Sequence, residues 1–144
     1  MRTVIFLIAL TATPAAAWEF SPTPVCTLSH AEPGARLDVT YDVRAEEPYA
    51  ITVTRTDAAW PEAPVFAMRF DGPRGLTIST NRHRLSEGGR AITVSDRGFG
   101  NVLDGLEFNA TATAILGETE LGFPLAGAAP EVQKFRDCTE GGVA

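Results

Sequence analysis

The chain has 144 residues and a net charge of −6, with 12 basic and 18 acidic side chains. An acidic surface excludes a general nucleic-acid binder, because phosphate contacts need a basic one. The length suits one domain with a real core rather than two.

Residues 1–17 read as an export segment. Arg2 is the positive start, Thr3 to Leu10 is a short apolar core, and Ala15-Ala16-Ala17 is a small-residue cleavage site. The apolar core is far shorter than the ~20 residues of a membrane span. A buried N-terminal strand is the alternative. No later apolar run is long enough to span a membrane, so residues 18–144 are expected to form one soluble, periplasmic or secreted domain.

Trp18 to Pro24 is a proline-containing arm. Val25 to His30 is a predicted strand with Cys26, Leu28 and His30 on one side, followed by a turn at Ala31 to Gly34. Arg36 to Arg44 alternates Leu37, Val39, Tyr41 and Val43 with polar residues, and Tyr49 to Arg55 alternates Tyr49, Ile51 and Val53 with threonines. Period-two alternation of β-branched and aromatic residues is the mark of a half-buried strand. Thr56 to Pro64 is a loop carrying Trp60, its two prolines keeping it out of a sheet interior.

Val65 to Ser95 holds three alternating runs separated by turn residues, VFAMRF, LTIST and ITVS. They predict an antiparallel meander with one buried face. A short extra strand is expected around His83 and Leu85. Val102, Leu103 and Leu106 fit a short helical turn. Asn109 to Leu116 and Thr119 to Leu125 form a hairpin, with Gly117 first in a two-residue type II′ loop. Ala110, Ala112 and Ala114 leave one side of that hairpin bare, and the C-terminal helix is the expected cover. That helix starts near Pro130 and carries Ala128, Val132, Phe135 and Cys138 on one stripe. At about eight residues it needs docking to persist. Glu131 suits its positive end, and Lys134 and Arg136 its negative end. The fold expected is a β-sandwich or flattened barrel of seven to nine antiparallel strands closed by this helix.

The two cysteines, Cys26 and Cys138, are an even pair in an exported chain and predict one disulfide. It would tie the helix to the first strand, so reduction is expected to free the helix first. Metal chemistry is not indicated, since only His30 and His83 could supplement the cysteines. No G-x-S-x-G, no G-K-S/T phosphate loop and no D-x-D-x-D loop occurs, and Gly98-Phe99-Gly100 lacks the third glycine of a dinucleotide loop. Asp38 and Asp42 have the spacing of a solvated strand face. Asn109-Ala-Thr111 matches a glycosylation acceptor. No cofactor is implied.

One asymmetry stands out. Residues 69–97 hold Arg69, Arg74, Arg82, Arg84, Arg90 and Arg97 against Asp71, Glu87 and Asp96. Arginine forks suit carboxylate or phosphate partners, so Arg69, Arg74, Arg82 and Arg84 are candidates for anion binding. The competing reading is that they pair with the acidic remainder of the chain. Trp60 and His83 are candidate partner contacts, with Trp60 as a lid on the core as the alternative.

W-E-F at 18–20, P-V-C-T-L-S-H at 24–30, F-D-G-P-R-G-L at 70–76, D-R-G-F-G-N-V-L at 96–103 and F-R-D-C at 135–138 carry a resemblance to a family of short exported proteins of Gram-negative bacteria. The resemblance supplies no catalytic residue. Proteins of this look are sometimes labelled as the helicase-like component of the excision-repair nuclease, excinuclease ABC. An acidic chain of this length with no phosphate loop does not fit that component. In architecture alone, the chain is similar to the invasion-associated locus B proteins. The function expected is a non-catalytic envelope or binding module for a protein or an anionic ligand. A small disulfide-closed inhibitor of a periplasmic hydrolase is the alternative, and an enzyme without a sequence signature is a third class.

Overall fold

Alternation becomes strand nearly everywhere it occurs. A computed structural model describes residues 8, 9 and 17–140. The expected export segment lies outside the described residues except for Ile8, Ala9 and Ala17, and so does the tail from 141 to 144. Ten strands and two helices follow in chain order: β1 (Glu19–Ser21), β2 (Cys26–Glu32), β3 (Ala35–Tyr41), β4 (Tyr49–Arg55), β5 (Phe66–Asp71), β6 (Leu76–Thr80), β7 (Arg84–Ser86), β8 (Ala91–Asp96), α1 (Gly100–Phe108), β9 (Thr111–Leu116), β10 (Thr119–Pro124) and α2 (Ala128–Glu140). The tenth strand beyond the seven to nine expected is β1. Its three residues sit just before Pro22 and Pro24 and are too few to show alternation.

The strands form two antiparallel sheets that do not close into a barrel. One has the order β1-β2-β3-β4-β8-β7 and the other β10-β9-β5-β6. A single hydrophobic cluster fills the space between them. Leu28, Leu37, Val39, Val53 and Ile92 come from the first sheet, and Phe66, Met68, Phe70, Leu116 and Phe123 from the second. This is a sandwich, with inward residues of both sheets making one core.

The expected meander is corrected. β5 and β6 pair, in the register Met68 with Ile78 and Phe70 with Leu76. β8 leaves them for the other sheet, where Ile51 faces Val94 and Val53 faces Ile92. Alternation reports which face of a strand is buried, and both sheets here share one core, so the pattern is the same in either place. The connection 81–83 therefore crosses between the sheets.

Several local boundaries also differ. β3 stops at Tyr41, and Val43 points outward at 76 % exposure. The chain turns there because Asp42 caps it: its carboxylate accepts the Arg44 backbone N–H at 3.0 Å, and Ala45 N donates to Asp42 O at 3.1 Å. The helix that packs on β9 is α1 rather than the last helix. Ala112 lies in register between Phe70 and Phe123, and Ala114 between Met68 and Leu121, so the small residues sit beside large ones within the sheet. Ala110 precedes the strand and is exposed.

The last helix runs for 13 residues, longer than the eight expected, and packs on α1, β1 and β2. Val132 and Phe135 are fully buried. Lys134 and Arg136 are not in its last turn: Lys134 pairs with Glu131, and Arg136 reaches α1 at Asp104 (2.7 Å) and Glu107 (3.1 Å). Cys26 and Cys138 form the expected disulfide, with a Cα separation of 6.1 Å. The hairpin loop is as expected, with Gly117 at φ +59° and Leu116 paired with Thr119.

Candidate functional site

A sandwich whose sheets do not close has a seam, and the seam is where the interior reaches the surface. β6 is the edge of its sheet. β7 has only three residues and pairs with Ala91, Ile92 and Thr93, so β8 from Val94 onward is also an edge. Between those two edges lies a cleft of about 530 Å³. Ligand sites typically occupy roughly 300–1,000 Å³.

The pairs Ile51–Val94 and Met68–Ile78 line the two walls, with Phe66 beside them. Phe99 and Val102, at the turn into α1, complete the apolar lining. The polar lining groups are Ser79 and Thr80 from the end of β6, Asp96 from the end of β8, Arg82 from the crossing, and Asn101 from α1. The start of α1 has no side-chain cap at Phe99 and no acidic residue in its first turn. Its first backbone N–H groups thus retain the partial positive charge of a helix start.

Arg82 spans the mouth. Its Nη2 is 3.5 Å from Asp96 Oδ2, and its Nη1 is 3.7 Å from Glu47 Oε2. Asp96 is also fixed from behind, since Oδ1 accepts the Arg97 backbone N–H at 2.7 Å. Arg97 in turn reaches Glu46 at 3.5 Å.

The four candidate arginines are not gathered in this cleft; only Arg82 lines it. Arg69 alternates with Met68 and Phe70, so it stands on the outer face of its sheet. Asp71, at 3.1 Å, and then Glu120, at 3.6 Å, raise its guanidinium further above its ordinary value. Arg74 lies over the Phe108 ring at 4.5 Å, in the β5–β6 turn that Asn109 holds with hydrogen bonds to Arg74 N and Arg74 O. Arg84 is exposed on β7. Trp60 is 4 % exposed, donates to Val53 O at 3.2 Å and lies under Arg55, so it presents no contact surface. His83 is half-buried, with Nε2 on Ala63 O at 3.0 Å.

A histidine outside the predicted site residues is placed with care. His30 is buried, stacks on Trp18 at 4.7 Å, and holds Glu32 through Nε2 at 2.6 Å. Trp18 in turn donates to Pro124 O at 2.9 Å. Among the described residues neither histidine hydrogen-bonds a hydroxyl or a sulfur. Among the described residues no three His, Cys, Asp or Glu side chains gather as a metal site, and no helix is long and apolar enough to cross a membrane.

The cleft liners Ile51, Phe66, Met68, Ile78 and Val94 were legible as inward residues but not as a site. The seam depends on long-range pairing, above all on the short reach of β7. Comparison with protein-family models, with curated proteins and with solved structures finds no match for the chain.

Proposed function

We propose that the protein is an exported, non-catalytic binding module whose ligand seat is the cleft between β6 and β8. The observation that carries this reading is the cleft itself. Its walls are core-type side chains from both sheets, open to solvent along a seam, with the polar groups gathered at the ends of β6 and β8 and in the segments that follow them, apart from the exposed Ser79. An apolar hollow with a few convergent polar groups is the usual form of a small-molecule site. The disulfide supports an oxidising compartment. Trp18, buried against His30 and Pro124, supports a fold that begins where the export segment would be cut.

Native mass spectrometry of the protein isolated from its own cells tests both parts. The expected species begins at Trp18, carries the disulfide and holds a non-covalent adduct that denaturation removes and that Ile78→Arg never acquires. Retention of residues 1–17 overturns export. An adduct that Ile78→Arg retains overturns the cleft as the seat.

A second reading, an inhibitor of a periplasmic hydrolase, draws support from the loop after β3. Val43 is its exposed apolar tip, and it stands beside a second hollow of about 360 Å³ lined also by Pro22, Pro24, Tyr41 and Cys138. A rigid scaffold can present such a loop to an enzyme. Under this reading Val43→Asp abolishes hydrolase inhibition and leaves cleft binding intact.

A further inference from the structure

Resting on the binding reading above, we propose that the ligand of the cleft is an amphiphile with one apolar chain and a single carboxylate head. Its chain lies between the Ile51–Val94 and Met68–Ile78 walls, and its head meets Arg82.

The apolar part follows from the walls. Of the cleft's polar side chains, Ser79, Arg82 and Asn101 are exposed, and Thr80 and Asp96 are the last inward positions of β6 and β8, beyond Ile78 and Val94; the remaining wall residues, Ile51, Phe66, Met68, Ile78 and Val94, present only hydrocarbon and the Met68 thioether. A buried polar group on the ligand body would find no hydrogen bond there and would carry its full desolvation cost. The ligand's polarity must therefore be concentrated at one end.

The sign of that end follows from Arg82. Arg36, Arg69 and Arg136 donate true hydrogen bonds to their carboxylates, to Asp38 at 3.0 Å, Asp71 at 3.1 Å and Asp104 at 2.7 Å. Arg82 does not, nor does Arg97 toward Glu46 at 3.5 Å, and of these two Arg82 alone lines the cleft. Its carboxylate neighbours stand at 3.5 and 3.7 Å, and among the described residues its guanidinium makes no hydrogen bond. Asp96 and Glu47 hold it across the mouth without occupying its N–H groups. A guanidinium offers five such donors in a planar fork that matches a carboxylate. The uncapped start of α1, at the same mouth, adds partial positive charge.

The number of charges on the head follows from the same neighbours. Asp96 and Glu47 already place two negative charges at Arg82. A dianionic phosphate would meet more repulsion there than a carboxylate, since like charges at close range oppose binding. A cationic head has Asp96 available, but that carboxylate already receives the Arg97 N–H at 2.7 Å and stands opposite Arg82.

The test is calorimetric titration of the intact, disulfide-bonded protein with decanoate, decanol, decyl phosphate and decyltrimethylammonium, each below its micelle concentration. Decanoate is expected to bind at least tenfold tighter than each of the other three. Arg82→Gln should remove that advantage, leaving decanoate no tighter than decanol, in a protein that still folds by circular dichroism. Equal affinity for decanol, preference for the phosphate or the cation, or a decanoate advantage that survives Arg82→Gln each overturns the head-group assignment and leaves the cleft as a binding site. If none of the four binds, the head-group assignment and the binding reading fall together.

Discussion

At Asp42 a single neighbour sets the charge. The Arg44 side chain, donating through Nε at 3.1 Å, and then the Arg44 backbone N–H at 3.0 Å, hold its carboxyl below the ordinary aspartate value. A lowered value means that the folded protein favours the charged form. The contribution to stability is therefore complete above the ordinary aspartate range and is lost as pH falls through the lowered value. The pair is open to solvent, with the Asp42 side chain 35 % exposed, so the effect belongs to the loop rather than to the whole fold. Arg44→Ala is expected to raise the Asp42 titration midpoint toward the ordinary value in a carboxyl NMR titration; an unmoved midpoint would contradict the pairing. Gly105 is the opposite case, a residue set by contact. A Cβ added there would lie 2.5 Å from Phe70 Cδ2, inside a ring that is itself buried. Alanine gains about 1 kcal/mol of helix propensity, but overpacking a fixed core costs ~1–3 kcal/mol. Gly105→Ala should thus lower stability in urea unfolding, and adding Phe70→Leu should recover most of the loss. A stabilised single variant would mean that α1 stands farther from β5. Nothing in the sequence marked Gly105, because its neighbour Phe70 is far away in the chain. Asp42 was visible, but as a strand residue, since its turn depends on a local hydrogen bond that competes with the strand.

For the elements, the last helix shows what local patterning can and cannot give. Its apolar stripe of Ala128, Val132 and Phe135 was readable from spacing, and all three are buried. Its length was not, because Thr139 and Glu140 are held in the helix by what precedes them rather than by an apolar stripe of their own. A helix of 13 residues is still marginal alone. It is tied down in four ways: by Val132 and Phe135, by Arg136 on Asp104 and Glu107, by Glu131 accepting the Phe20 N–H at 3.1 Å, and by the disulfide. Three of these lie before Cys138. Reduction is therefore expected to lower stability by ~2–4 kcal/mol yet to release the helix end first. Hydrogen exchange should speed up at 138–140 while the Phe135 amide stays protected. Release of the whole helix at once would mean that the disulfide, not the packing, holds it. The α1 contact has its own test. Glu107 is 7 % exposed in its side chain and relies on Arg136 and Gln133. Arg136→Ala should cost roughly 1–3 kcal/mol, since it leaves a buried carboxylate without its charge partner and with Gln133 alone, and Glu107→Gln in that background should restore part of it. A cost no greater than that of Arg44→Ala would contradict the role of burial.

On the scale of the molecule, the two-sheet architecture was legible because alternation recurs from Cys26 to Phe123 with turns between. Pairing was not. The switch of β8 from the partner of β6 to the partner of β4 leaves every inward residue inward, so no pattern of polarity could report it. The cleft is a direct product of that switch, because it lies where β6 and the outer half of β8 face one another unpaired. For the same reason the arginine cluster was visible as composition but not as geometry. Arg69 and Arg74 went to other surfaces, and Arg82 alone reached the seam because it lies in the crossing. The central claim is that this seam is a built binding site and not a surface dent. Methyl-resolved NMR during titration with decanol tests it most directly, since decanol carries no charge and reports the apolar walls alone. Saturable shifts are predicted at Ile51, Met68, Ile78 and Val94, with none at the exposed Val43 and Val65. Shifts scattered over the exposed methyls, or no saturation at the four wall residues, would contradict it.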